Sequence, residues 1–129
     1  MAQLDLSHEQ QRQVLILAAL HDTAESRTSD IPHDVKANYS EMDDILHGIE
    51  TDYYKEHWGK YFDDVYKPKF IVYNILKLAD AYSVYQWCLN EQVLGNKCDY
   101  LDDIFEDAKS RIEKYTTTIN TLNEIEKEK

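Results

Sequence analysis

Along the chain the apolar positions fall into four stretches at helical rather than alternating spacing, separated by short polar breaks. Ser7 followed by Gln10 has the S/T-x-x-E/Q form of a capping box, which predicts a first helix from about His8 to about Glu25. Its second half, Val14-Leu15-Ile16-Leu17-Ala18-Ala19-Leu20, is apolar on every side, the pattern of a buried helix. The polar run Ser26 to Pro32 reads as a loop. Asp34 or Ser40 is the candidate cap of a second helix that runs through Ile45, Ile49 and Tyr53 to about Tyr61, with Phe62 to Pro68 as a connection. From Lys69 to about Leu94 the chain is again apolar almost all round, and Gly95-Asn96 ends it as glycine ends helices. Such a helix belongs in the middle of a bundle. Last, Leu101, Phe105, Ala108, Ile112, Tyr115, Ile119 and Leu122 alternate steps of four and three, one stripe of an amphipathic helix, before a charged tail from Glu124 to Lys129.

Composition agrees with an all-α fold: three Gly and two Pro in 129 residues leave little material for the turns of a β-protein. At 43% hydrophobic, the chain can bury one core, so a single domain over 1–129 is expected. The formal net charge of −11, without a Lys/Arg cluster in the sequence, opposes binding to polymeric nucleic acid or an anionic membrane. No apolar run approaches the roughly 18 residues that a membrane span needs, and no signal peptide is legible, so a cytoplasmic setting is expected. Only Cys88 and Cys98 occur. The first lies in an apolar helical pattern and the second in a polar turn, which reads as core filler and free thiol rather than a disulfide.

Two places carry carboxylates on apolar helices. His21-Asp22-Thr23-Ala24-Glu25, with Asp30 just beyond, ends the first apolar stretch, and Asp80 sits in Leu78-Ala79-Asp80-Ala81 among Tyr73, Leu76, Val84 and Trp87. Imidazole and carboxylate are costly to bury unless paired, hydrogen-bonded or coordinating a cation, and a divalent ion takes this ligand set. Alone, Asp80 reads as readily as a partner of Lys77 or the lining of a solvated groove as it does as a ligand, and together with His21-Asp22 it points to a shared cation. Glu25 reads as a surface acid or as a base one helical turn from His21 and Asp22, and Asp30 as a turn-starting loop residue. His8, His33, His47 and His57 occupy polar positions and read as surface histidines; the ten tyrosines read mostly as packing. No phosphate-binding glycine loop, serine-hydrolase elbow or zinc-type cysteine pair is present.

The series His21-Asp22-Thr23-Ala24-Glu25, Asp30-Ile31-Pro32-x-x-Val35-Lys36 and Leu78-Ala79-Asp80-Ala81 resembles the HD-domain phosphohydrolases, most closely their 5′-deoxynucleotidase branch. The likeness continues through Tyr85, Cys88-Leu89, Glu91 and Gly95-Asn96 and covers roughly residues 7 to 115. It implies an all-α helical bundle of the HD-domain type that binds a divalent metal (Co, Mn, Zn, Mg or Fe). It also implies removal of phosphate from deoxyribonucleoside 5′-monophosphates, usually by a dimer. Carried over by motif, His21, Asp22 and Asp80 are metal ligands, Glu25 orients or deprotonates the attacking water, and Asp30 assists proton transfer to the leaving ribose oxygen. Substrate-binding residues are not assigned.

The family places a further ligand histidine and phosphate-contacting residues upstream of the His-Asp pair, whereas only twenty residues precede His21 here. The expectation is therefore an N-terminally shortened domain. At about 1.5 Å of rise per helical residue, His8 lies roughly 20 Å from His21 and does not replace that ligand. A homo-oligomer, or a partner chain supplying the helices, then completes the site and covers apolar surface. Two other functions remain: a degenerate nucleotide- or metal-binding module without turnover, and an acidic inhibitor of a nucleic-acid-binding protein.

Overall fold

The computed structural model describes residues 4–128, except for the side chains of His33 and Asp34. The surface expectation for His33 and the end of the charged tail at Lys129 lie outside the described residues. The fold is all-α, 82% helical without a strand among the described residues. Among the described residues seven α-helices follow one another: α1 (His8–Leu20), α2 (Glu25–Thr28), α3 (His33–Asn38), α4 (Ser40–Trp58), α5 (Phe62–Tyr66), α6 (Phe70–Val93) and α7 (Asp99–Lys127), with a 3₁₀ turn over Gly59–Tyr61. They form two compact units: one comprises the chain up to Val14 together with that from Lys69 onward, the other Leu15–Pro68.

In the first unit α6 lies along α7, joined by a short turn at Gly95. Gly95 has φ +88, a left-handed conformation that costs glycine nothing, and the neighbouring amides of Leu94 and Asn96 donate to the last carbonyls of α6, those of Asn90 and Glu91. The heptad-like stripe of α7 is buried or half-buried at every position from Leu101 to Leu122, and Tyr85 of α6 stacks on Phe105 of α7 at 5.1 Å. Cys88 is buried as expected, and burial pushes its thiol pKa up. Cys98 is an exposed free thiol and more besides: its Sγ accepts the Leu101 amide at 3.3 Å, so it caps α7. The capping box forms reciprocally, with the Ser7 amide donating to Gln10 Oε1 at 3.0 Å and the Gln10 amide to Ser7 Oγ at 3.1 Å. Gln10 is itself buried, and its Nε2 donates to Glu126 Oε1 near the end of α7 at 3.4 Å.

In the second unit Leu20, Ala24 and Tyr54 form the buried centre, with Ile16, Tyr53, Tyr61, Phe62, Val65 and Tyr66 packed against them. The expected connection from Phe62 to Pro68 contains α5 because Phe62 and Tyr66, four residues apart, stack at 4.8 Å and share that core. Neither proposed cap holds the second helix: Asp34 falls inside α3, Ser40 is the first residue of α4, and Tyr39 at the cap position makes no side-chain hydrogen bond.

Both all-round apolar stretches are more one-sided than their sequences predict. Leu17 and Leu20 of α1 are buried, while Leu15 is 71% exposed. On α6, Ile71, Val72, Leu76, Ala81 and Cys88 are buried, while Phe70, Tyr73, Tyr82, Val84 and Trp87 stay open to solvent. Apolar residues on every side of a helix permit burial, but the number of neighbouring helices decides how much of it occurs.

Candidate metal centre

The first helix stops at Leu20, five residues before the expected end, and the reason is local chemistry. Beyond Leu20 the amides of Thr23, Glu25 and Ser26 bond three residues back, to Leu20, Asp22 and Thr23, each at 3.1 Å. The Leu20 carbonyl also accepts the Thr23 hydroxyl at 2.8 Å and the Tyr54 hydroxyl at 2.5 Å, and Tyr54 reaches the His21 carbonyl at 2.7 Å. A short polar side chain such as that of Thr23 competes with the helical ladder in this way. Tyr54, 2% exposed, thus ties down the carbonyls at the end of α1 and with them the backbone of His21. Its burial raises its own pKa.

His21 Nδ1 faces two backbone carbonyls, Leu17 O at 3.0 Å and Ala18 O at 3.1 Å. Carbonyls only accept, so Nδ1 donates to them, which leaves Nε2 for a second partner. That Nε2 stands 3.1 Å from Asp22 Oδ2. A proton shared between the two atoms, or a metal ion bound by both, accounts for that approach. Ligands held at about 2.1 Å from one ion in tetrahedral or cis-octahedral arrangement are roughly 3.0 to 3.4 Å apart, so the spacing suits two ligands of one divalent cation. A backbone carbonyl on the far ring nitrogen is likewise the usual way a ligand histidine is oriented.

Glu25 opens the short helix α2 rather than continuing α1. The expectation that it lies one turn along the same helix from His21 is thereby corrected, because the turn at His21–Ala24 intervenes. It nevertheless remains in their electrostatic company. Slight desolvation foremost, then the carboxylates of Asp22 and Asp30, push the carboxyl of the exposed Glu25 above its ordinary range, while Lys36 and His21 act against them. Arg27, on the same short helix, is fastened to α4 through Glu56 at 2.9 Å and over the ring of Tyr53, which holds α2 in place.

Asp80 belongs to the other compact unit and is exposed, not buried among the apolar residues of α6. It lines a cleft of about 490 Å³ between α6 and α7, in company with Lys77, Arg111 and Lys114. The solvated-groove reading describes its surroundings. Among the described residues, no three His, Cys, Asp or Glu side chains are grouped closely enough to hold a metal ion. The fit to a divalent cation therefore rests on the His21–Asp22 pair.

Over residues 4–127 the chain matches the model of the YfbR-like 5′-deoxynucleotidases. The chain belongs to this family. No curated protein and no solved structure matches it at a significant level. Within the YfbR-like fold described here, sequence reading missed two structural supports of the candidate centre, Tyr54 and Arg27. Tyr54 was legible only as one of many core tyrosines, and nothing in its spacing announced that its hydroxyl ends α1. No described helix of this YfbR-like protein is long and apolar enough to cross a membrane.

Proposed function

We propose that the protein is a metal-dependent phosphohydrolase acting on (deoxy)nucleotides, with 5′-deoxyribonucleoside monophosphates as substrates. The observation that carries this reading is the facing pair of His21 Nε2 and Asp22 Oδ2 in a chain of the YfbR-like family. In this reading His21, Asp22 and, by the family motif, Asp80 are the protein ligands. A bound divalent ion supplies Lewis-acid polarisation of the phosphoryl oxygen and a lowered pKa for water. Glu25 accepts the proton of the attacking water, a role that its raised proton affinity favours. Asp30 assists protonation of the leaving ribose oxygen.

The same reading takes the protein as a homo-oligomer. Support comes from α4, which leaves Met42, Ile45 and Ile49 open to solvent at helical spacing, next to an exposed Tyr39.

The test is phosphate release from each deoxyribonucleoside monophosphate with Co²⁺ or Mn²⁺, beside an Asp22→Ala control. Release that depends on metal and on Asp22 is expected. Release no greater than that of the control overturns the proposal. Saturable metal or nucleotide binding without release would put a non-catalytic binding module in its place.

A further inference from the structure

The cleft between α6 and α7 has a charge balance opposite to that of the chain. Lys77, Arg111 and Lys114 line it against only two carboxylates, Asp80 and Asp107, although the formal net charge of the whole chain is −11. The clustering comes from helical spacing. Tyr73, Lys77 and Asp80 share one face of α6, and Asp107, Arg111 with Ser110, and Lys114 with Tyr115 share one face of α7.

Each cation has a support that leaves it usable. Arg111 Nε is paired with Asp107 Oδ2 at 2.9 Å, so Asp107 is neutralised within the cleft and the guanidinium is steadied. The terminal nitrogens of the same planar fork are the donors suited to two oxygens of a phosphate. Lys77 Nζ sits 5.5 Å from the ring centroid of Tyr73, and Lys114 Nζ sits 5.5 Å from that of Tyr115, and both tyrosines line the cleft. The aromatic faces favour the ammonium groups there without taking up their hydrogen-bond donors. Ser110 adds a hydroxyl.

We propose that this cleft binds the phosphate of a nucleoside monophosphate, with Lys77, Arg111 and Lys114 as its positioning residues. The proposal deepens the phosphohydrolase reading and rests on it for the identity of the ligand. Anion binding itself follows from the cleft. With Asp107 paired to Arg111, Asp80 is the carboxylate of the cleft that opposes an anion as long as it carries no cation. Its removal from the metal-free protein therefore strengthens phosphate binding, the reverse of its effect on turnover.

The experiment measures binding of inorganic phosphate and of dAMP to the full chain in EDTA by titration calorimetry, at low and at raised salt, with deoxyadenosine as the phosphate-free control. Saturable binding of both phosphates, weakened by salt, is expected. Arg111→Gln with Lys114→Gln weakens it about tenfold or more, while Lys114→Arg retains it. Asp80→Asn strengthens it about two- to fivefold. Circular dichroism establishes that each variant keeps its helix content, since all three positions are exposed.

Equal phosphate binding by wild type and the double glutamine variant overturns the proposal, as does weakening by Asp80→Asn. Two outcomes separate it from the catalytic reading. Phosphate binding that depends on Arg111 and Lys114 without any turnover sinks the catalytic reading and leaves the cleft standing. Metal-dependent turnover whose KM is unchanged in the double variant does the opposite.

Discussion

The acidic turn after α1 and the cationic cleft of α6 and α7 differ in how their residues come together. In the turn, His21, Asp22, Glu25 and Asp30 are near neighbours in sequence, and hydrogen bonds reaching three residues back, with the Tyr54 hydroxyl, set the backbone between His21 and Ser26. In the cleft, Lys77 and Asp80 meet Arg111 and Lys114 only because two long helices lie side by side. The first arrangement depends on a backbone conformation and is sensitive to anything that releases it. The second depends on helical register, so single surface substitutions alter its charge without altering its shape.

This difference divides the expected effects of mutation, beginning with the largest. Asp22→Ala should reduce phosphate release to the level without enzyme and abolish stoichiometric metal in elemental analysis. A variant that keeps its metal would break the assignment of the turn as the metal centre. Glu25→Gln should lower kcat by about 10²- to 10⁴-fold, as loss of a general base does, with KM little changed. The cleft variants should show the contrary split in steady-state kinetics, a raised KM with a smaller change in kcat.

Tyr54→Phe keeps the ring in the core but leaves the carbonyls of Leu20 and His21 without its hydroxyl. Stability to urea should fall by about 1–3 kcal/mol. Metal affinity should fall with it, since His21 loses its anchor. An unchanged metal affinity would mean that the turn holds its own shape.

The smallest effect concerns pH. The folded-state pKa of Glu25 lies above its unfolded value, so its ionised form is disfavoured in the native chain. Native stability is then reduced once pH rises through the folded pKa, and the reduction vanishes below the ordinary glutamate range. Glu25→Gln should accordingly raise the midpoint of thermal unfolding slightly at neutral pH and leave it unchanged in acid. A lowered midpoint at neutral pH would show that the residue stabilises the fold instead.

The long helices were legible because their signals are local and repeated. Gln10 answers Ser7 across three residues, Gly95 supplies the left-handed residue after α6, and the apolar stripe of α7 persists to Leu122. The motif series of the candidate site was legible for a related reason, since most of it lies within one short stretch. The end of α1 was not, because the local bonds after Leu20 are joined by Tyr54, far along the chain, whose hydroxyl takes up carbonyls that a longer helix would have used. The cleft was invisible as a cluster because its cations are spread over two helices and diluted in an acidic composition. Exposure of one side of α1 and α6 was equally hidden, because an apolar pattern records which faces tolerate burial and not which acquire a neighbour.

Cys98 gives α7 an unusual first turn. Its sulfur is the acceptor that holds the Leu101 amide, and it is exposed to solvent. Alkylation or oxidation of that one thiol would therefore act as a conformational perturbation, loosening the start of the longest helix. The rate at which a thiol reagent consumes Cys98 accordingly serves as a clock for fraying at that end of the hairpin. Comparisons between preparations depend on keeping the thiol reduced.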